Sequence, residues 1–226
     1  MADFTLSVPT GTTTHAAAPG QQPTSTPTSQ PISLDKGDFI FVLGANGTGK
    51  SSLMLRFFTP NRQRARRIVS HRQNWFEEGG LNMTARDRTN TGNQIQNQDG
   101  HPQSRWKDSY AGQRANIAIY DLIDAENVRA RKIADAADKR NMTEVTRLAS
   151  EMSPMNKINR LLRLSNLSIE LSIEEGQKLY ASRNGGKKYD VAELSDGERN
   201  ALLIASNVLT APEGTLFLID EPERHL

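Results

Sequence analysis

One run, Gly44-Ala45-Asn46-Gly47-Thr48-Gly49-Lys50-Ser51, constrains what this chain can fold into more than any other. The pattern GxxxxGK followed by Ser needs a strand before it and a helix after it. Its glycines let backbone N–H groups turn inward, and the following helix points its positive end at the same place. Such a P-loop cradles the phosphates of ATP. Lys50 would reach the β- and γ-phosphates, Ser51 would place its hydroxyl on Mg2+, and Ser52 completes the nucleotide-binding set. The flanks fit. Phe39-Ile40-Phe41-Val42-Leu43 is apolar on both faces, as a central strand of a helix-covered sheet should be, and Ser51–Phe58 reads as a helix with Pro60 past its end.

A second apolar run, Leu216-Phe217-Leu218-Ile219, ends in Asp220-Glu221. Paired with a P-loop it reads as a Walker B strand. Asp220 would hold the Mg2+ shell, and Glu221 would polarise the attacking water. Glu221 and Lys50 are the catalytic candidates.

Between these runs, Arg67–Ser70 reads as a strand and residues 77–105, rich in Asn, Gln, Gly and Arg, as a long mobile loop. A helical period returns from Ala115 through Ile119, Leu122, Ile123 and Ile133. Ser153-Pro154 is an N-cap with Pro at the first helical position. Ser168–Ile173 and Lys178–Ser182 alternate as strands, followed by a hairpin-type turn at Asn184-Gly185-Gly186. Asp196–Leu209 reads as a helix. The order predicts an α/β P-loop fold with a loop and helical insertion over about 77–165.

Residues 9–31 are rich in Thr, Pro, Ser and Gln. On composition, 1–31 reads as a mostly disordered segment before an ATPase domain over 32–226, with Asp3–Val8 either an edge strand or part of a disordered tail. The 226 residues include no cysteine, which excludes disulfides and Cys-ligated zinc and fits a cytoplasmic protein. No apolar run approaches the roughly 20 residues of a membrane span, and no signal peptide is evident. A net charge of +2 is too small to argue for nucleic acid by itself.

The third motif is Leu194-Ser195-Asp196-Gly197-Glu198. As plain residues it is a helix start: Ser195 is a good N-cap, and Asp196 and Glu198 sit in the first turn. It also resembles the LSGGQ signature of ABC-type ATPases, in the LSxGE form of the RecF/Rad50/OLD-like branch. That resemblance implies an ATP sandwich, with these five residues facing the γ-phosphate bound by the opposite protomer of a dimer or higher homo-oligomer. It also implies a Mg2+-sensing glutamine, for which Gln73 is the first choice and Gln113 the alternative. The family's switch histidine lies on a later strand, so His225 is not that residue and the domain reads as C-terminally truncated.

Arg62, Arg64, Arg66, Arg67 and Arg72 form a basic cluster. Nucleic acid could bind it, but with only Trp75 and Phe76 nearby a solvated face is the better reading. Several stretches together (Asp38–Met54, His71–Glu77, Ala111–Glu126, Val191–Asn200 and Ile219–Leu226) resemble the AriA-like ATPases of PARIS anti-phage systems. The resemblance implies a nucleotide-dependent scaffold or sensor that controls a TOPRIM-type nuclease. Alternatives are a DNA-repair or recombination ATPase of the RecF/Rad50 kind and a nucleotide-binding fragment without turnover.

Overall fold

The structure, a computed structural model, describes residues 3–15, 24–69, 76, 83–174 and 178–220. Strands β1 (Phe4–His15) and β2 (Thr24–Leu34) form an antiparallel ribbon with Phe4 opposite Leu34. This departs from the disordered segment expected over 1–31. Composition averages over the whole stretch, whereas a ribbon needs only one apolar face. Phe4, Leu6 and Val8 alternate onto that face and, with Leu34, meet Leu53, Met54, Phe57 and Phe58. The threonines further along are β-branched and suit a strand.

Helix α1 (Lys50–Asn61) follows the P-loop, with Pro60 inside its last turn, and β3 (Ala65–Val69) comes next. Residues 77–105, expected as one loop, contain helix α2 (Ala85–Asp99). Thr84 starts it: the Thr84 hydroxyl accepts from Asp87 N–H, and the Asp87 carboxylate accepts from Thr84 N–H. This capping box satisfies two otherwise orphaned donors, and it nucleates a helix whose Asn- and Gln-rich body shows little apolar periodicity.

Helices α3 (Ala111–Asp138), α4 (Met142–Ser150) and α5 (Pro154–Leu164) then run in succession, the last capped by Ser153. A meander follows: β4 (Ile169–Glu174), β5 (Lys178–Arg183) and β6 (Lys188–Asp190). Asn184 and Gly185 both have left-handed φ, 50° and 70°, as a tight hairpin turn requires. Helix α6 (Asp196–Thr210) and strand β7 (Leu216–Asp220) complete the described chain.

Two buried clusters organise these elements. One joins α3, α5, α6 and the meander around Leu122, Ile158, Leu162, Leu202 and Ala181. The other joins Leu6 of β1, Phe57 and Phe58 of α1, Ala65 of β3, and Leu216 and Leu218 of β7. Strands β3 and β7 pair in parallel, with Val69 opposite Asp220. The second cluster thus fixes the acidic end of β7 relative to the helix that leaves the P-loop.

The expected central strand Phe39–Leu43 takes no part in the described sheets. Phe39, Phe41 and Leu43 are 84%, 83% and 89% exposed. An apolar run signals that a segment gains by burial, but a strand also needs a neighbour for its N–H and C=O groups. In the described ladders β7 pairs with β3 alone. Among the described residues, no helix is long and apolar enough to cross a membrane.

Candidate functional site

The loop before α1 is held by its own side chains. The Thr48 hydroxyl donates to the Ala45 carbonyl at 2.8 Å, and Lys50 Nζ donates to the carbonyls of Gly44 at 2.7 Å and Ala45 at 3.1 Å. A Cβ on Gly44 would meet Thr48 Oγ1 at 2.7 Å, so only glycine fits there without a shift. Gly49 is the N-cap of α1 at φ 91°, a left-handed conformation that favours glycine, and it offers no capping side chain. The first N–H groups of a helix without a side-chain cap need acceptors, and they sit at its positive end. Phosphate oxygens supply such acceptors, so the loop fits the group that its sequence implies.

One neighbour of this loop escaped sequence reasoning. Arg105, in a short 3-10 turn at Pro102–Arg105, donates to Ser52 Oγ at 2.8 Å and lies over the Trp106 ring. It brings a guanidinium to the P-loop from 53 residues away. An arginine in a polar, aperiodic stretch carries no signal of its own. Only the cap at Thr84, which turns that stretch into α2 and the turn behind it, could have located it.

Asp220 ends β7 and is buried. Its Oδ2 lies 3.4 Å from Nη2 of Arg67, which also donates to the Ser104 carbonyl at 3.0 Å. Val69 stands opposite Asp220 across the ladder, and Arg67, two residues earlier, shares Val69's face. Among the described residues, no group of three His, Cys, Asp or Glu side chains forms a ready metal cage. Ser51 and Asp220 could instead hold Mg2+ together with the phosphates, the usual way Mg2+ is bound beside a nucleotide.

Residues 194–198 open α6. Ser195 Oγ accepts from Glu198 N–H and donates to Glu198 Oε2, which also accepts from Ser195 N–H. Arg183 Nη2 reaches both oxygens of the Glu198 carboxylate at 2.9 and 3.0 Å. Burial pushes the Glu198 pKa up, but the bonds from Ser195 and the Arg183 charge outweigh it and leave the carboxyl below its ordinary value. Asp196 pairs with Arg199, and Leu194 is buried. The P-loop and this motif thus head two helices that belong to different buried clusters.

Residues 55–226, more than half of the chain, match the family described as "AAA domain, putative AbiEii toxin, Type IV TA system". The chain belongs to this AAA family. No curated protein and no solved structure matches it. The AAA match begins inside α1, so the P-loop lies just before it, while α6 and β7 lie within it. The fold is that of a P-loop NTPase, with mixed helix and strand, and the chain is a nucleotide-binding P-loop ATPase of the ABC/AAA superfamily.

Glu221, Gln73, Arg72, Trp75 and His225 lie outside the described residues of this AAA chain. Gln113 is exposed near the start of α3. The basic cluster is the solvated face expected from sequence only in part. Arg62 and Arg64 are exposed, but strand alternation turns Arg67 inward to Asp220 and Arg66 toward Asp121 of α3.

Proposed function

We propose that this chain is the ATP-hydrolysing core of an ABC-type ATPase whose site is completed by the 194–198 signature of a second protomer. In this reading it serves as a nucleotide-dependent scaffold or sensor in anti-phage defence and controls a TOPRIM-type nuclease. The observation that carries the reading is the head of α1. Uncapped N–H groups and the Lys50 amine stand there, Ser51 follows in the first turn, and α1 packs in one cluster with the strand that ends in Asp220.

When ATP enters, Lys50 exchanges two neutral carbonyls for anionic phosphate oxygens, which are stronger acceptors. Ser51 and Asp220 would hold Mg2+, which neutralises charge on the phosphates. Glu221, next after Asp220, would orient and polarise the attacking water. Ser195 and the head of α6 would meet the γ-phosphate of the facing protomer. The description of the family, which names a toxin–antitoxin system, is in keeping with a defence role.

Size-exclusion chromatography of Glu221→Gln in ATP tests the sandwich. A shift to dimer or higher supports it, and an unchanged elution volume overturns it. For the defence role, a TOPRIM-type nuclease gene beside this one supports the reading. A neighbourhood of membrane permease genes overturns it.

A further inference from the structure

A cavity of about 340 Å³, open to solvent on one side, lies between β3 and α2, and α1, α3 and α6 also contribute to its lining. That is the lower end of the size range of small-molecule sites. Arg66 of β3 and Arg88 of α2 line it, with Asn93 and Asn207. Phe58, Ile95 and Leu203 add apolar wall.

The charges are unevenly matched. Arg88 holds Asp121 through two bonds of 2.7 Å, which places that carboxylate at Arg88's disposal. Arg66 stands 3.6 Å from the same carboxylate, and its bonds to Asn207 are long, 3.3 and 3.5 Å. Two guanidinium groups therefore share one Asp, and the Arg66 side chain is only 23% exposed. Burial chiefly, opposed by Asp121 and reinforced by Arg88, lowers the Arg66 pKa. An anion in the cavity would offset that burial.

The space itself has a cause. Gly92 on α2 lines the cavity, and a Cβ there would meet only Arg88 Nη1 at 3.8 Å. Glycine in a helix interior is disfavoured relative to alanine. Here it leaves room.

We propose that this cavity is a second ligand site that takes a small phosphate-bearing molecule of mononucleotide size, with Arg66 and Arg88 on the phosphate and the apolar wall against its body. It is separate from the P-loop. Phe58 lies eight residues beyond Lys50 along α1, about 12 Å at 1.5 Å per residue. The two sites thus lie at opposite ends of one helix, which gives the second a direct route to the first.

Titration calorimetry with AMP and with inorganic phosphate tests the site on the full chain carrying Lys50→Ala, which weakens the P-loop. Residual P-loop binding is recognised because the variants added to this background would leave it unaffected. AMP binds this background, and more tightly than phosphate, because the apolar wall contributes. Adding Arg66→Gln weakens AMP at least tenfold. Adding Gly92→Leu, which fills the space and removes no charge, does the same while thermal stability is kept. No AMP binding at millimolar concentration in the Lys50→Ala chain overturns the proposal, as does binding that both added variants leave unchanged. Failure of the P-loop reading appears separately, as unaltered ATP binding on Lys50→Ala.

Discussion

Arg67 Nη2 stands 3.4 Å from Asp220 Oδ2, with the two side chains 1% and 7% exposed. The pair crosses the β3–β7 ladder diagonally, so the same register that forms the parallel pair brings the charges together. Two buried charges contribute little net stability as a pair, but removing Arg67 takes a guanidinium away from a buried carboxylate, which is costly. Arg67→Met is expected to lower stability by about 3 kcal/mol. Combining it with Asp220→Leu should recover most of that loss. Urea midpoints of the two variants check this.

At the P-loop, Lys50→Ala removes a charged donor from an exposed loop, so folding should be unchanged. Nucleotide affinity should fall by about 2 kcal/mol or more, roughly thirtyfold in Kd. Fluorescent-nucleotide titration measures the affinity, and thermal melting checks the fold.

Arg105 adds positive charge beside Ser52. Arg105→Gln should weaken nucleotide binding by about 1 kcal/mol, and the difference from the parent should shrink as salt screens the charge. Titrations at 50 and 500 mM salt decide it. A loss of equal size at both concentrations means that Arg105 acts by packing alone.

Thr84 marks the start of α2. Thr84→Ala should cost about 1 kcal/mol and increase hydrogen exchange in the first turns of α2. A mobile loop over 77–105 would show neither effect.

Glu198 carries the pH dependence of the α6 start. Its folded pKa lies below the ordinary value, so its stabilisation is fully present above about pH 4.3. It is lost as pH falls through the lowered folded value. Glu198→Gln should reduce this acid-side slope, so that denaturation midpoints fall less between about pH 5 and 3 than in the parent.

Features whose cause is local were legible in the sequence. Ser153-Pro154 announces α5, Asn184-Gly185 announces a hairpin, and Ser195 with Glu198 announces α6, because a cap or turn is decided by residues within one turn of each other. Thr84 and Asp87 carry the same signal, but the Asn- and Gln-rich stretch after them masks it. Asp3–Val8 could be read as a strand, but the rest of the β1–β2 ribbon was hidden for another reason: its partner strands are separated by residues 16–23, and its apolar face is only every second residue. Nor could spacing reveal that Arg67, one of five clustered arginines, faces Asp220, or that Arg105 reaches Ser52. Both contacts depend on which distant elements become neighbours.

The exposed strip before the P-loop has a calorimetric consequence. Contacts between phosphate and the loop are polar and change heat capacity little, whereas covering Phe39, Phe41 and Leu43 would remove apolar surface from water and make the heat-capacity change of binding negative. Nucleotide titrations repeated across a range of temperatures therefore separate two events that an affinity alone would merge. A flat enthalpy reports the loop closing on phosphate. A falling one reports that Phe39–Leu43 has been seated at the same time.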